Sequence, residues 1–196
     1  METVAAQQVS FDAKIAQATE DVLTVEYSLV NHAAADIYVM DTLPAWDPDA
    51  KKVVPVDRPY ICYRGGGVAY VLKGTPPLPV DRVVTQRAFG LGTKVAPGQK
   101  LARKLQLRLP LREQSIYHTP LKDEDYAVVD VAKLVLAVQI LRANLPDFKA
   151  EPSPLGAELF RVGTKATMKD SEVLSHELYL PPRTKLWKRN DKFPRM

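Results

Sequence analysis

The sequence predicts an all-β protein of two packed antiparallel sheets, about eight to ten strands with little helix. Apolar residues recur at every second position along most of the chain, the spacing of half-buried strands. Proline is abundant, 16 of 196 residues against roughly 5% in ordinary usage, so a helix is interrupted in many places. The strand candidates are irregularly spaced and show no internal repeat, which favours a sandwich; a closed up-and-down barrel fits the long loops at 74–82 and 112–127 less well.

The elements follow in order. Val9, Phe11, Ala13 and Ile15 alternate with polar neighbours and the pattern stops at Gln17; Leu23, Val25, Tyr27 and Leu29 repeat it. Polar residues 31–36 then lead into Ile37, Val39, Asp41 and Leu43, which predicts a hairpin with the preceding strand. Lys52 to Val56, Tyr60 to Arg64 and Val68 to Lys73 are short strand candidates separated by Pro55, Pro59 and Gly65-Gly66-Gly67. Thr75 to Pro79 reads as an extended loop. Val83, Thr85, Arg87, Phe89, Leu91, Thr93 and Val95 lead into Ala96-Pro97-Gly98-Gln99, a type II turn signature. Leu101, Leu105, Leu107, Leu109 and Leu111 return in phase, so these two runs are expected to pair as a hairpin.

Residues 111–126 read as a long polar connection. Val131 to Leu141 fills both registers, which a helix also accepts; with no cap before it and strands on either side, it reads as a strand buried on both faces. Residues 144–154 hold three prolines and read as a loop, and Leu159 to Ala166 and Val173 to Leu180 as a final strand pair around Lys169-Asp170-Ser171. The predicted organisation is one sandwich domain over residues 1–182 and a basic tail over 183–196. That tail carries six basic residues and one acid, so the chain's net charge of +4 belongs to its end.

Two segments, Leu23-Thr-Val-Glu-Tyr-Ser-Leu-Val-Asn31 with its polar turn and Val95-Ala-Pro-Gly-Gln99 followed by an alternating strand ending in Pro110-Leu111, resemble bacterial immunoglobulin-like β-sandwich domains. Intracellular proteinase-inhibitor-like modules are one group among these. The resemblance implies the sandwich fold; such a sandwich is expected to bind another macromolecule through loops or edge strands, proteinase-inhibitor-like loop binding being one concrete version. The chain departs from antibody-type domains in having no cysteine pair, so it has no disulfide-pinned core.

Templates for chemistry fail one after another. His32, His118, His176 and Cys62 show no Cys-x-x-Cys or His-x-x-x-His spacing, and the residue where His176-Glu177 would need its second ligand is Leu180, so no metal site is expected. None of the six serines lies between the glycines of a nucleophile elbow. Cys62, between Ile61 and Tyr63, reads as a small buried hydrophobe. Gly65-Gly66-Gly67 and Gly90-Leu91-Gly92-Thr93-Lys94 run into strands or turns, whereas a phosphate loop opens onto a helix. The acidic pairs and triplets Asp47/Asp49 and Asp123/Glu124/Asp125 lack the further spacing of a calcium loop. No catalytic residue, metal or cofactor is expected. The lone cysteine, the lack of a basic-then-apolar leader at residues 1–10 and the lack of an apolar run of about 18 residues predict a cytoplasmic protein with no membrane span.

The expected function is therefore non-enzymatic binding of an unknown protein partner. The alternative is nucleic-acid or acidic-partner binding through the tail, where Arg183, Lys185, Lys188, Arg189 and Lys192 interleave with Leu186, Trp187 and Phe193. Trp46, in a proline-flanked segment, is a second aromatic suited to anchor a partner. A solubilising tail whose Trp187 simply packs on the sandwich is the competing structural explanation, and for Trp46 a place at the sandwich rim.

Overall fold

The computed structural model describes residues 8–80, 83–84, 90–165 and 167–194, and it is all-β. Its strands are β1 (Val9–Ala18), β2 (Val22–Asn31), β3 (Ile37–Asp47), β4 (Lys52–Val56), β5 (Tyr60–Gly65), β6 (Val68–Lys73), β7 (Leu91–Val95), β8 (Lys100–Arg108) and β9 (Leu111–Arg112). After a 3-10 turn at Asp123–Asp125 come β10 (Tyr126–Asp130), β11 (Lys133–Arg142), β12 (Lys149–Pro152) and β13 (Leu159–Gly163), the single helical turn α1 (Thr167–Asp170), β14 (Glu172–Tyr179) and β15 (Lys185–Arg189). No helix among the described residues is long and apolar enough to cross a membrane.

Two sheets face each other. One has the order β1-β2-β8, all antiparallel; the other runs β12-β13-β7-β3-β11-β6-β5, with β14 added to β11 and β4 to β3. Their facing sides supply one apolar layer: Leu23, Val25 and Leu29 from β2 and Leu105 and Leu107 from β8 meet Ile37, Val39, Val71, Leu134, Leu136 and Val138. A third small sheet, β10-β15-β9, adds Leu111 and Leu186 to the same core. The outer face of the large sheet is also covered. Phe193 packs on Tyr60, Cys62, Tyr70 and Leu72, and residues 143–160 bring Leu145, Phe148 and Phe160 over Tyr38, Met40 and Leu141.

Several predicted elements appear almost to the residue. β4, β5 and β6 form where expected, and β5 and β6 pair through glycines 65–67, whose φ angles of 91°, 57° and 74° suit residues without a Cβ. The segment that a helix also accepts is β11, hemmed in by β14 on one side and by β6 and β3 on the other, with most of its residues buried.

The predicted pairings fare differently. β2 and β3 are not a hairpin: β1 and β8 occupy both edges of β2, so the chain crosses to the opposite sheet before β3. β7 and β8 diverge in the same way, β7 joining β3 and β13 while β8 joins β2. The turn between them is nonetheless the one its residues specify. Gln99 N donates to Ala96 O at 3.0 Å and Gly98 has φ 75°. Both crossings are tied together at Asn31, whose side-chain amide donates to Ala35 O and Val95 O at 2.9 Å each, while Gly98 N donates to Asn31 O at 2.7 Å. Pairing those groups inside the molecule offsets the cost of burying them. Thr85, Arg87 and Phe89 of the expected strand lie outside the described residues.

β13 and β14 also separate, because α1 stands between them and β14 is taken by β11. The expected loop at 144–154 contains β12, and the long connection contains β9. Not every pair is antiparallel, since β11–β6 and β15–β9 run parallel.

Candidate functional site

The C-terminal basic segment lies in the folded body. β15 is the central strand of its small sheet, paired with β10 through residues 185–189 and with β9 through Leu186 and Trp187. Leu186 points into the core and is fully buried. Arg189 is buried too: its guanidinium grips Asp191 with two bonds of 2.9 and 2.7 Å and donates to Thr119 O at 2.7 Å, a bidentate pair that holds its charge more firmly than usual. Its backbone N–H donates to Glu113 Oε2 at 2.8 Å, and Tyr63 N donates to the other oxygen of the same carboxylate. Lys185 pairs with Asp130 at 2.6 Å. Trp187 lies under the Arg112 guanidinium, 4.0 Å from the ring centroid, and beside Tyr126. Phe193 stacks on Tyr60 at 5.7 Å, with the His118 ring at 4.9 Å. Arg183, Lys188 and Lys192 remain at least partly open to solvent. The cations that the sequence gathers into one stretch thus divide: two are engaged by carboxylates and the aromatic residues pack.

Trp46 is placed differently. Beyond Thr42, β3 leaves the large sheet and continues with β4 alone among the described strands, pairing Leu43 with Val56 down to Asp47 with Lys52. Trp46 and Val53 are direct cross-strand partners in this hairpin and are 63% and 45% exposed. Its tip is closed by Asp47, whose carboxylate accepts from Asp49 N at 2.9 Å and Ala50 N at 3.0 Å, a side-chain turn of the kind aspartate commonly forms.

At the root of the hairpin lies a polar group between the two sheets. Asp41 of β3 is 5% exposed, and its Oδ2 accepts from Tyr27 OH at 3.2 Å and from Arg103 Nε at 3.3 Å across the sandwich. Arg103 also donates to Thr93 Oγ1 at 3.3 Å. Lys73, 3% exposed, pairs with Asp57, the residue after β4. The two legs of the hairpin are therefore tethered from inside the molecule. Burial, with the Asp41 carboxylate beside it, pushes the Tyr27 hydroxyl well above its ordinary value, so it stays a donor. Burial pushes the Lys73 ammonium down to about 8; Asp41 pulls it back up and Arg103 pushes it further down.

A lysine whose folded value lies below its unfolded value of 10.5 is protonated in the unfolded chain and neutral in the folded one between about pH 8 and that value. Folding stability from this group therefore rises with pH across the window, and the full burial penalty applies below it. Wild type measured against Lys73→Met by urea unfolding at pH 7.5 and pH 10 is expected to gain on the order of 2 kcal/mol; equal changes in both proteins would contradict the assignment.

This buried group escaped the sequence reading, although each member leaves a trace. Arg103 interrupts the leucine row of β8, Asp41 stands in the apolar row of β3, and Lys73 ends β6 in phase with Ala69 and Val71. The other residues weighed for chemistry are dispersed. Cys62 is buried under Phe193, and His176 lies 3.7 Å from Asp12 where β14 meets β1. Among the described residues no group of three or more His, Cys, Asp or Glu side chains gathers to hold a metal. No family model, curated protein or solved structure matches the chain.

Proposed function

We propose that the protein is a non-catalytic binding module that engages another protein through the β3–β4 hairpin. The observation that carries this reading is the exposed Trp46–Val53 pair on a two-stranded ribbon that has left the sheet. A two-stranded ribbon is marginally stable by itself; this one is anchored at its root and leaves an aromatic and a β-branched side chain uncovered at its far end. An added strand along β4 would complete its backbone hydrogen bonds, and an apolar pocket on the partner would take Trp46. Within this reading, a sandwich presenting a projecting hairpin fits an immunoglobulin-like, proteinase-inhibitor-type module, whose partner would be a protease. The lone cysteine, buried as a core residue, suits a reducing cytoplasm.

Trp46→Ala combined with Val53→Asp is expected to reduce capture of the partner from native cells by about tenfold or more, with melting temperature unchanged because both side chains are exposed. Undiminished capture would contradict the proposal. Binding of nucleic acid by Arg183, Lys185, Lys188, Arg189 and Lys192 has less support, since Arg189 and Lys185 already face carboxylates and Trp187 is covered by Arg112.

A further inference from the structure

Away from the hairpin, β14 ends in a tight turn that borders a cleft of about 470 Å³. The cleft is lined by Val131, Ala132, Tyr179, Pro181, Pro182 and Arg183, with Gly67, Asp130 and Leu180 completing it. Its walls are mainly apolar, and Tyr179 is 73% exposed at its rim. Arg183 is the one cation lining it among the described residues. The other charge, Asp130, is occupied by Lys185 at 2.6 Å, and the nearby Lys133 by Glu177 at 2.9 Å. Arg183 has no such partner among the described ion pairs.

The backbone at Arg183 adds a second observation. Thr184 N donates to Pro181 O at 3.3 Å and Thr184 Oγ1 to the same oxygen at 2.7 Å, closing a turn with Pro182 second and Arg183 third. Arg183 has φ 66°, the left-handed region where this turn ordinarily carries glycine. A long cation is held at a strained position that glycine would fill more easily, and it is held at the mouth of an apolar cleft. Beside the cleft, β10 is the outer strand of the small sheet, its Val128 is 57% exposed, and it runs directly into the cleft through Asp130 and Val131.

We propose that this cleft binds the carboxyl terminus of a peptide chain whose last side chain is apolar. The Arg183 guanidinium pairs with the terminal carboxylate, Tyr179 and the two prolines receive the last side chain, and the residues before it add to the outer edge of β10 past Val128. The shape and lining are those of a small-ligand site with one orienting charge. The free strand edge selects a peptide over a small carboxylic acid, because only a peptide satisfies the backbone groups of β10.

The test uses the full chain and fluorescence anisotropy. The probes are labelled hexapeptides with free carboxyl ends terminating in Val, Leu, Ile or Phe, the same peptides amidated, and hexanoate as competitor. The free-acid peptides are expected to bind, with amidation weakening binding by about tenfold or more. Arg183→Gly is expected to weaken it similarly while its melting temperature equals or exceeds that of wild type, since glycine relieves the turn. Arg183→Gln keeps the turn residue's Cβ and loses the charge, and is expected to weaken binding as well. Trp46→Ala is expected to leave peptide binding unchanged, which separates this site from the hairpin. Equal binding of amidated peptides, full binding by either Arg183 variant, hexanoate competing as well as unlabelled peptide, or no binding up to about 1 mM would each overturn the proposal.

Discussion

Asp41→Ala is expected to lower folding stability by about 3–5 kcal/mol, the cost of removing one partner from a buried ion pair. The carboxylate is nearly inaccessible and receives the Tyr27 hydroxyl and the Arg103 guanidinium from the opposite sheet. Its removal leaves the tyrosine donor without an acceptor, and Lys73 loses the internal negative charge that supports its protonated form. Arg103 is the least affected member, because its side chain is 35% exposed and turns to water at small cost; the lower half of the range follows from that. Urea unfolding with an unchanged m-value measures the loss as a shift in midpoint. Asp12→Ala, at a carboxylate 78% exposed, is the control and is expected to change stability by less than about 0.5 kcal/mol. A loss below about 1 kcal/mol at Asp41 would mean that the contacts across the sandwich contribute little.

Removing residues 183–196 is expected to abolish cooperative folding. This deletion takes out the central strand of a three-stranded sheet and empties the place of Leu186 in the main core. It also strips Phe193 from the outer face of the large sheet, uncovering Tyr60, Cys62, Tyr70 and Leu72. A milder probe is Phe193→Ala, expected to cost about 3–5 kcal/mol as a large buried aromatic. An appended tail would predict a truncated chain as stable as the parent. For the same reason, loss of binding after this truncation would say nothing about the cations, and single substitutions at Arg183, Lys188 and Lys192 are the informative ones.

The sequence spoke clearly wherever one rule governed one segment. Alternation located β1, β2, β5, β6 and β8, the missing cap and the flanking strands decided for β11, and the proline and glycine of residues 97–98 specified their turn. Pairing is a different kind of information. Alternation marks which residues of β2 and β7 face inward, but nothing local says whether the next strand lies beside them or across the core, and here both connections cross. β15 was hidden by its composition. Lys185, Trp187 and Arg189 look like a solvated cationic run until Asp130 and Arg112 are brought from elsewhere in the chain to meet the first two and Asp191 turns back onto Arg189. Of the candidate site, Trp46 was legible as a loop aromatic, whereas its partner Val53 depends on the register of β3 against β4. The hairpin's buried anchor joins residues from five separate strands, β2, β3, β6, β7 and β8, and an alternating pattern cannot show that their polar members converge.

Site-specific photo-crosslinking in native cells tests most directly whether the Trp46–Val53 hairpin is the partner-binding surface. A photoreactive residue at Lys52, exposed on β4 beside Val53, is expected to give a discrete covalent adduct that disappears when Trp46→Ala and Val53→Asp are added. The same residue at Lys104, on the outer face of the three-stranded sheet, is expected to give none. An adduct from Lys104 with none from Lys52, or an adduct at Lys52 that survives both substitutions, would contradict the account.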